Sequence, residues 1–351
     1  MRASLRPRLL ADRCSRGRAG PRNQIFVAGS ALPPSSPEVF EMSETTPHAE
    51  SRAPDSRVRL DEMDLSLGKK VRLHRILYGT GMKNGSLMIL PIDQGLEHGP
   101  IDFFPNPPSQ DPDYQWRLAA EGGYNAVACH YGLARRYMRK YAGRVPLILK
   151  LNGKTNIPSD AEALSTLTGT VEDAVALGAD AVGYTLYVGS PRQDEDIMQF
   201  MEIREACDKY NMPVVMWSYP RGFEVEEKGG RNSLYAVDYA ARMAVELGAD
   251  VVKLNLPKPS SKDDLQPAAY RDLDWDFASG ARRVVESAGR CMVLVSGGSK
   301  LSDDDLMAKV KVSMDAGATG LIFGRNMWQR PFDEALAVTE RVQALLSEYS
   351  V

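Results

Sequence analysis

"ELGADVVKLNLP" (246–257) sets a lysine, Lys253, inside an apolar run. A helical pattern ends at Gly248, and the chain passes at once into Val251, Val252, Leu254 and Leu256. That is a helix C-cap leading straight into a buried strand. Three more segments repeat the pattern: "EGGYNAVACHYG" (121–132), "ALGADAVGYTLY" (176–187) and "DAGATGLIFGRN" (315–326). Four other apolar runs lie before and between them: "SLMILPIDQG" (86–95), "VPLILKLNG" (145–153), "MPVVMWSYP" (212–220) and "CMVLVSGGS" (291–299). The two sets interleave into eight strands. Helix-capable stretches separate them, such as "SLYAVDYAARMAVELG" before the sixth and "SDDDLMAKVKVSMDAG" before the eighth. Ser302, three residues ahead of Asp305, reads as a helix start.

Continuous apolar strands alternating with helices form a parallel sheet covered on both faces. Eight such units predict an α/β fold of the closed (β/α)8 type, a TIM barrel. A doubly wound sheet is the other arrangement to weigh. Its glycine fingerprint has a faint echo in "GTGMKNG" (79–85), but that stretch precedes the first strand instead of following it.

The formal net charge of −3 argues against a nucleic-acid partner. No run of about 18 apolar residues predicts a membrane helix. The cysteines Cys14, Cys129, Cys207 and Cys291 are isolated and fit reduced thiols in a cytosolic enzyme. Residues 1–41 hold seven arginines, no lysine, and only Asp12, Glu38 and Glu41 as acids. Such a leader resembles an organelle transit peptide; a tail, or a start at Met42, fits as well. Residues 1–55 are therefore read as an Arg-rich leader or tail, and 56–351 as a single barrel domain. The expected location is the cytoplasm, or an organelle stroma or matrix if the leader is a transit peptide.

Barrel chemistry sits at the C-terminal ends of the strands. There the first strand ends in Asp93, the third carries Lys150 and Asn152, and the fifth ends in Trp217, Ser218 and Tyr219. The sixth has Lys253 and Asn255, the seventh Ser296-Gly297-Gly298, and the eighth Gly324-Arg325. Alternation puts Lys253 with Asn255, and Trp217 with Tyr219, on single faces. Facing inward, Lys253 loses water, its pKa falls, and a second ammonium such as Lys150 lowers it further. A neutral amine forms a Schiff base with a carbonyl substrate. A salt-bridged or snorkelling lysine is the plainer reading. Tyr219 fits either a packing residue or a proton donor. As a base it needs a nearby cation, with Lys150 the candidate. Trp217 reads as a pocket wall, Asp93 as a site residue or local turn, and Lys150 equally as an interior partner of Asp93. "SGGS" and "GRN" together suggest a phosphate site, because glycine N–H groups approach an anion and Arg325 adds a fork donor. The histidines His48, His74, His98 and His130 show no metal-ligand spacing, and His98 reads as a loop residue.

"PIDQGLEHGP", "LKLNGKT", "WSYPRG", "YAARMAVELGADVVK", "VSGGSK" and "GRNMWQR" together resemble the archaeal-type class I fructose-bisphosphate aldolases. These are a branch of the barrel aldolases that includes deoxyribose-phosphate aldolase. The resemblance runs from about residue 70 to 345. It implies Lys253 as the Schiff-base lysine, Tyr219 as general acid/base and Asp93 as an assisting carboxylate. It further implies Ser296, Gly297, Gly298, Gly324 and Arg325 around phosphate, with Lys150, Trp217 and Arg221 also on the substrate side. The implied activity is reversible cleavage of fructose 1,6-bisphosphate to dihydroxyacetone phosphate and glyceraldehyde 3-phosphate. The implied partner is a sugar phosphate, with no metal or organic cofactor, in a homo-oligomer such as a decameric ring. An amino-dideoxyheptulosonate synthase and a non-catalytic phosphate-binding barrel are the rival readings. The leader has no counterpart in the family pattern. The loop 257–277 reads longer than the family's and suggests a lid or an oligomer contact.

Overall fold

Each of the eight apolar runs forms a strand. The computed structural model describes Pro54 and residues 57–351. The strands are β1 (Leu87–Pro91), β2 (Ala126–His130), β3 (Leu147–Lys150), β4 (Ala181–Val188), β5 (Val214–Pro220), β6 (Val251–Leu254), β7 (Met292–Ser296) and β8 (Gly320–Ile322). Every strand pairs in parallel with its neighbour in sequence, and β8 closes on β1. This is the (β/α)8 barrel expected from the repeat, and the doubly wound alternative falls. Gly79 ends a helical turn, and Gly81 and Gly85 lie in the turn ahead of β1.

Helix α1 (Leu67–His74) precedes the barrel. The outer layer comprises α2 (Pro112–Glu121), α3 (Tyr131–Tyr137), α4 (Val171–Ala176), α5 (Gln193–Tyr210), α6 (Leu234–Leu247), α7 (Phe277–Ser287), α8 (Asp303–Asp315) and α9 (Phe332–Leu346). The sequence marks several starts. Ser302 Oγ accepts from the Asp305 N–H at 3.2 Å, and Ser233 Oγ accepts from the Ala236 N–H at 3.2 Å. Such caps are worth about 1 kcal/mol each. Gly248, at φ 94°, ends α6 in the left-handed conformation that glycine adopts without a Cβ penalty.

Strand alternation splits the core in two. Leu87, Ile89, Ala128, Ile148, Val215, Val251 and Leu294 point into the barrel with Trp217. Met88, Leu90, Val127, Leu149, Val252 and Val295 point out against the helices. Burying one such aliphatic side chain is worth roughly 1.5–3 kcal/mol. Met63, Leu73, Ile76 and Leu77 join the interior cluster and plug the N-terminal mouth. Lys69 holds α1 there through Asp208 at 2.8 Å and Asp250 at 3.2 Å. The open end of the barrel is therefore the C-terminal mouth.

Two elements were not foreseen. Asn152 leaves β3 and pairs with Leu167 in a two-stranded antiparallel ribbon, where its side-chain amide accepts from Thr185 N–H at 2.7 Å. The loop 257–277 contains a short helix, Ala268–Arg271, tied to α6 by a Tyr270 hydroxyl donating to Asp238 at 2.8 Å. Cys129, Cys207 and Cys291 are buried free thiols. Of residues 1–55, only Pro54 is among the described residues, so the leader and Cys14 lie outside them. Among the described residues, no helix is long and apolar enough to cross a membrane.

Candidate active site

The parallel register sets Lys253 on β6 opposite Trp217 on β5 and Leu294 on β7. Its side chain points inward and up, to a cavity of about 170 Å³ at the C-terminal mouth. Asp93, Tyr219, Arg221, Ser296, Gly297, Gly298, Gly324 and Arg325 line the same cavity. Nine of the eleven residues anticipated from the sequence thus meet in one place. The other two, Lys150 and Trp217, lie one layer beneath, each 2% exposed. Trp217 forms a floor instead of a wall. Lys253 Nζ stands 4.9 Å from the centre of its indole, and Lys150 Nζ stands 4.2 Å from it. Gly183 on β4 makes this stack fit, because a Cβ there would come within 2.7 Å of Lys150 Cδ and 2.8 Å of Trp217 Cζ3.

The two lysines differ in their partners. Lys150 lies 3.8 Å from an Asp93 carboxylate oxygen and donates to Thr185 Oγ1. Burial lowers its pKa to about 8 despite the attraction of Asp93, and repulsion from Lys253 adds to the drop. Lys253 has no carboxylate within ion-pair distance among the described residues. Burial is the main cause of its lowered pKa; Asp93 and Glu97 pull it back up, and Arg325 pushes it down. Desolvation pushes the Asp93 pKa up, but Lys150, Lys253 and His130 outweigh it, and the carboxyl sits below its ordinary value. Asp93 begins the short helix Gln94–His98 without capping it through its side chain. The carboxylate instead faces the two buried lysines, with the Lys150 amine 3.8 Å away.

Tyr219 is pushed well above the ordinary phenol value by burial, and further by Glu97 and Asp93. The cations that pull it back are Arg221 and Arg325, so Lys150 is not the charge source expected from the sequence. The reason is positional. The Arg221 guanidinium lies 5.4 Å from the Tyr219 ring centre, held by Asp160 at 3.1 Å, whereas Lys150 is taken up by Asp93 below.

The loops after β7 and β8 meet across the cavity. Gly298 has φ 73° and open space where a Cβ would stand. At Gly297 a Cβ would come within 2.8 Å of the Asn326 amide. Ser296 Oγ donates to Asn255 Oδ1. Arg325 lies 3.7 Å from Asp102, which also takes a 2.6 Å contact from His98 Nδ1. That contact raises the His98 pKa. His98 and Glu97 both line the cavity, contrary to the loop reading of His98. Their presence within "PIDQGLEHGP" was the available signal. Thr185 gave none, since a threonine in an apolar run reads as ordinary strand.

An inward amine without an ion-pair partner, a carboxylate, a phenol and two glycine loops on a (β/α)8 barrel define a barrel aldolase. The family model described as DeoC/LacD family aldolase matches residues 87–330, and the chain belongs to that family. It is 39% identical over 266 residues to the class 1 fructose-bisphosphate aldolase of Halobacterium salinarum, spanning 76% of this chain and 92% of that one. It is 41% identical over 249 residues to the Thermoproteus tenax enzyme of the same name, spanning 71% and 85%. Among solved structures, it is similar to an archaeal fructose-1,6-bisphosphate aldolase whose catalytic lysine is covalently bound to the carbinolamine intermediate of its substrate. The TM-score is 0.67 at 37% identity, over 78% of this chain and 99% of that one.

Proposed function

We infer that this chain is a class I fructose-bisphosphate aldolase that cleaves fructose 1,6-bisphosphate through a lysine Schiff base. The observation that carries the reading is Lys253, a buried amine with a lowered pKa, aimed into a cavity rimmed by the Ser296–Gly298 and Gly324–Arg325 loops.

The neutral Lys253 amine adds to the C2 ketone and gives a carbinolamine. Tyr219, a phenol in the free protein, donates its proton to the departing hydroxyl, leaving an iminium and a phenolate. The new iminium charge and the Arg221 guanidinium stabilise that phenolate. The phenolate takes the proton of the C4 hydroxyl, and the C3–C4 bond breaks. Its electron pair passes into the iminium, giving a neutral enamine and releasing glyceraldehyde 3-phosphate. Tyr219 then protonates the enamine carbon, and water hydrolyses the iminium to dihydroxyacetone phosphate and the free amine. Condensation is the reverse. Asp93 stays ionised throughout and sets the charge balance of the two lysines. The backbone N–H groups of the two loops, with Arg325, hold one phosphate of the substrate.

The reading takes residues 56–351 as one catalytic domain, residues 1–55 as dispensable for chemistry, and the working species as a homo-oligomer. Light scattering of the purified chain measures the last. The decisive experiment is borohydride reduction with fructose 1,6-bisphosphate, followed by peptide mass spectrometry. The adduct is expected on Lys253; an adduct on another lysine, or none, overturns the reading.

A further inference from the structure

Behind the Ser296–Gly298 loop lies a second cavity of about 440 Å³, bounded by β6, β7 and α8. It shares Asn255, Ser296, Gly297 and Gly298 with the active cavity, so the loop is a partition between the two. Two lysines line it, Lys258 after β6 and Lys309 on α8. Neither forms an ion pair among the described residues, although Asp305, which also lines the cavity, is tied to Ser302 at 2.6 Å. The Lys309 amine turns inward and donates to the Gly297 carbonyl at 3.3 Å. Leu256, Phe277 and Val312 supply apolar walls. A volume of this size holds a small metabolite, and two cations beside apolar walls suit a short carbon skeleton carrying a phosphate.

We propose that this cavity is a regulatory site for a small phosphorylated metabolite, read by Lys258 and Lys309. Burial and then Lys258 lower the Lys309 pKa to about 8, so a bound anion would offset a charge that is now held at a cost. The consequence for catalysis rests on the aldolase reading above. A hydrogen bond to the Gly297 carbonyl polarises the Gly297–Gly298 peptide and strengthens the Gly298 N–H as a donor to the substrate phosphate. An effector that draws Lys309 away removes that support. KM for the bisphosphate then rises with occupancy while turnover is kept.

The test uses the full chain with its active cavity filled by the borohydride-reduced substrate adduct, titrated calorimetrically with glycerol 3-phosphate. One further molecule per chain is expected, with affinity falling about tenfold or more in Lys309→Met and in Lys258→Ala, the loss of a charge-assisted hydrogen bond. In wild type, glycerol 3-phosphate should raise KM beyond simple competition at the active cavity, and Lys258→Ala should abolish that excess without changing basal turnover. Absence of binding to the blocked protein, or binding indifferent to both substitutions, overturns the site. Failure to form the adduct overturns the aldolase reading instead. In that case titration of the unmodified chain against Lys258→Ala, whose lysine lines only the second cavity, still decides whether that cavity takes the anion.

Discussion

Lys253 and Lys150 share one indole, with their amines 4.9 Å and 4.2 Å from the centre of the Trp217 ring. The sharing is unequal. Asp93 and Thr185 take up Lys150, and Lys253 is left to the cavity. The buried carboxylate thus holds one ammonium as a fixed charge and leaves the other amine available as a nucleophile.

Lys253→Met is accordingly expected to abolish cleavage and borohydride trapping, while Lys262→Ala, far out on an exposed loop, keeps near wild-type turnover. The same variant should be more stable. Burial depresses the folded pKa of Lys253 below its unfolded value, so the chain takes up a proton on unfolding. Wild-type stability then rises with pH as it approaches about 10.5, and the cost is fully present below the folded pKa. Methionine removes that cost at neutral pH. A Tm a few degrees higher is expected, at about 2–4 °C per kcal/mol for a domain of this size. A lower Tm at pH 7 would mean that the amine is held by stabilising contacts, contrary to the arrangement described.

Tyr219→Phe keeps the ring that packs above Trp217 and removes only the hydroxyl. Turnover is expected to fall about 10²–10⁴-fold, the usual contribution of a general acid/base. Dehydration of the carbinolamine should slow with it, so adduct formation proceeds at a lower rate and still reaches completion. Single-turnover kinetics with timed borohydride quenching separates the two steps. Cleavage at near the wild-type rate would leave Tyr219 as packing and make Asp93 the next proton carrier to test.

Much of this was legible in the sequence because a barrel repeats one simple unit. Four Gly-to-strand junctions, interleaved with four apolar runs, marked all eight strands. A lysine in such a run stands out because burying one is costly. The two glycine loops were legible for a similar reason, since Gly297 and Gly324 fall where a Cβ would strike a neighbouring strand or side chain. Charge partnership was legible only in part: Lys150 as an interior partner of Asp93 was one of the readings, and the structure places the two 3.8 Å apart. Whether Lys150 acts on Lys253, Tyr219 or Asp93 depends on height within the barrel, and sequence alternation gives direction but not layer. Hence Arg221, two residues beyond Tyr219 and just past the end of β5, holds the place expected for Lys150. The plug formed by Met63, Leu73, Ile76 and Leu77 was also missed, because only the closed barrel shows what the segment around α1 covers.

The electron sink in the proposed reaction is the Lys253 iminium. Turnover after dialysis against a strong chelator is therefore expected to match the untreated protein. A loss restored by added zinc would require a different mechanism.

Arg57 is buried at the N-terminal side of the described residues. The residue is 1% exposed, and its guanidinium donates to the carbonyls of Tyr349, Gly85 and Thr319 and to Ser86 Oγ. It ties the start of the described chain to its C-terminal end beneath the barrel. A chain starting at Met42 is expected to fold and turn over as the full chain does. Arg57→Met strands several buried carbonyls, each costing about 1–3 kcal/mol, so a large drop in the urea midpoint is expected. An unchanged midpoint would show that water satisfies those carbonyls as well as the guanidinium does.

Asp93→Asn tests the charge balance directly. The carboxylate lies 3.8 Å from the Lys150 amine and raises the pKa of both lysines. Removing it leaves two buried ammoniums with less to hold their protons, so the Lys253 pKa falls further. The acid limb of the kcat/KM profile, which reports deprotonation of the free amine, should therefore move to lower pH. Plateau turnover should fall at the same time, because the asparagine cannot balance the iminium charge. A loss of about 10²-fold or more would match an assisting active-site group. Stability follows the opposite sign. Asp93 has a folded pKa below its ordinary value, so its contribution is present above the carboxylate range and is lost as pH falls through the folded pKa. The Asn variant lacks that contribution at neutral pH and should unfold at lower urea than wild type, with the difference closing in strong acid. Should the acid limb move to higher pH, the carboxylate would be acting on Lys253 through some route other than charge. The amine's availability would then rest on burial against Trp217 alone.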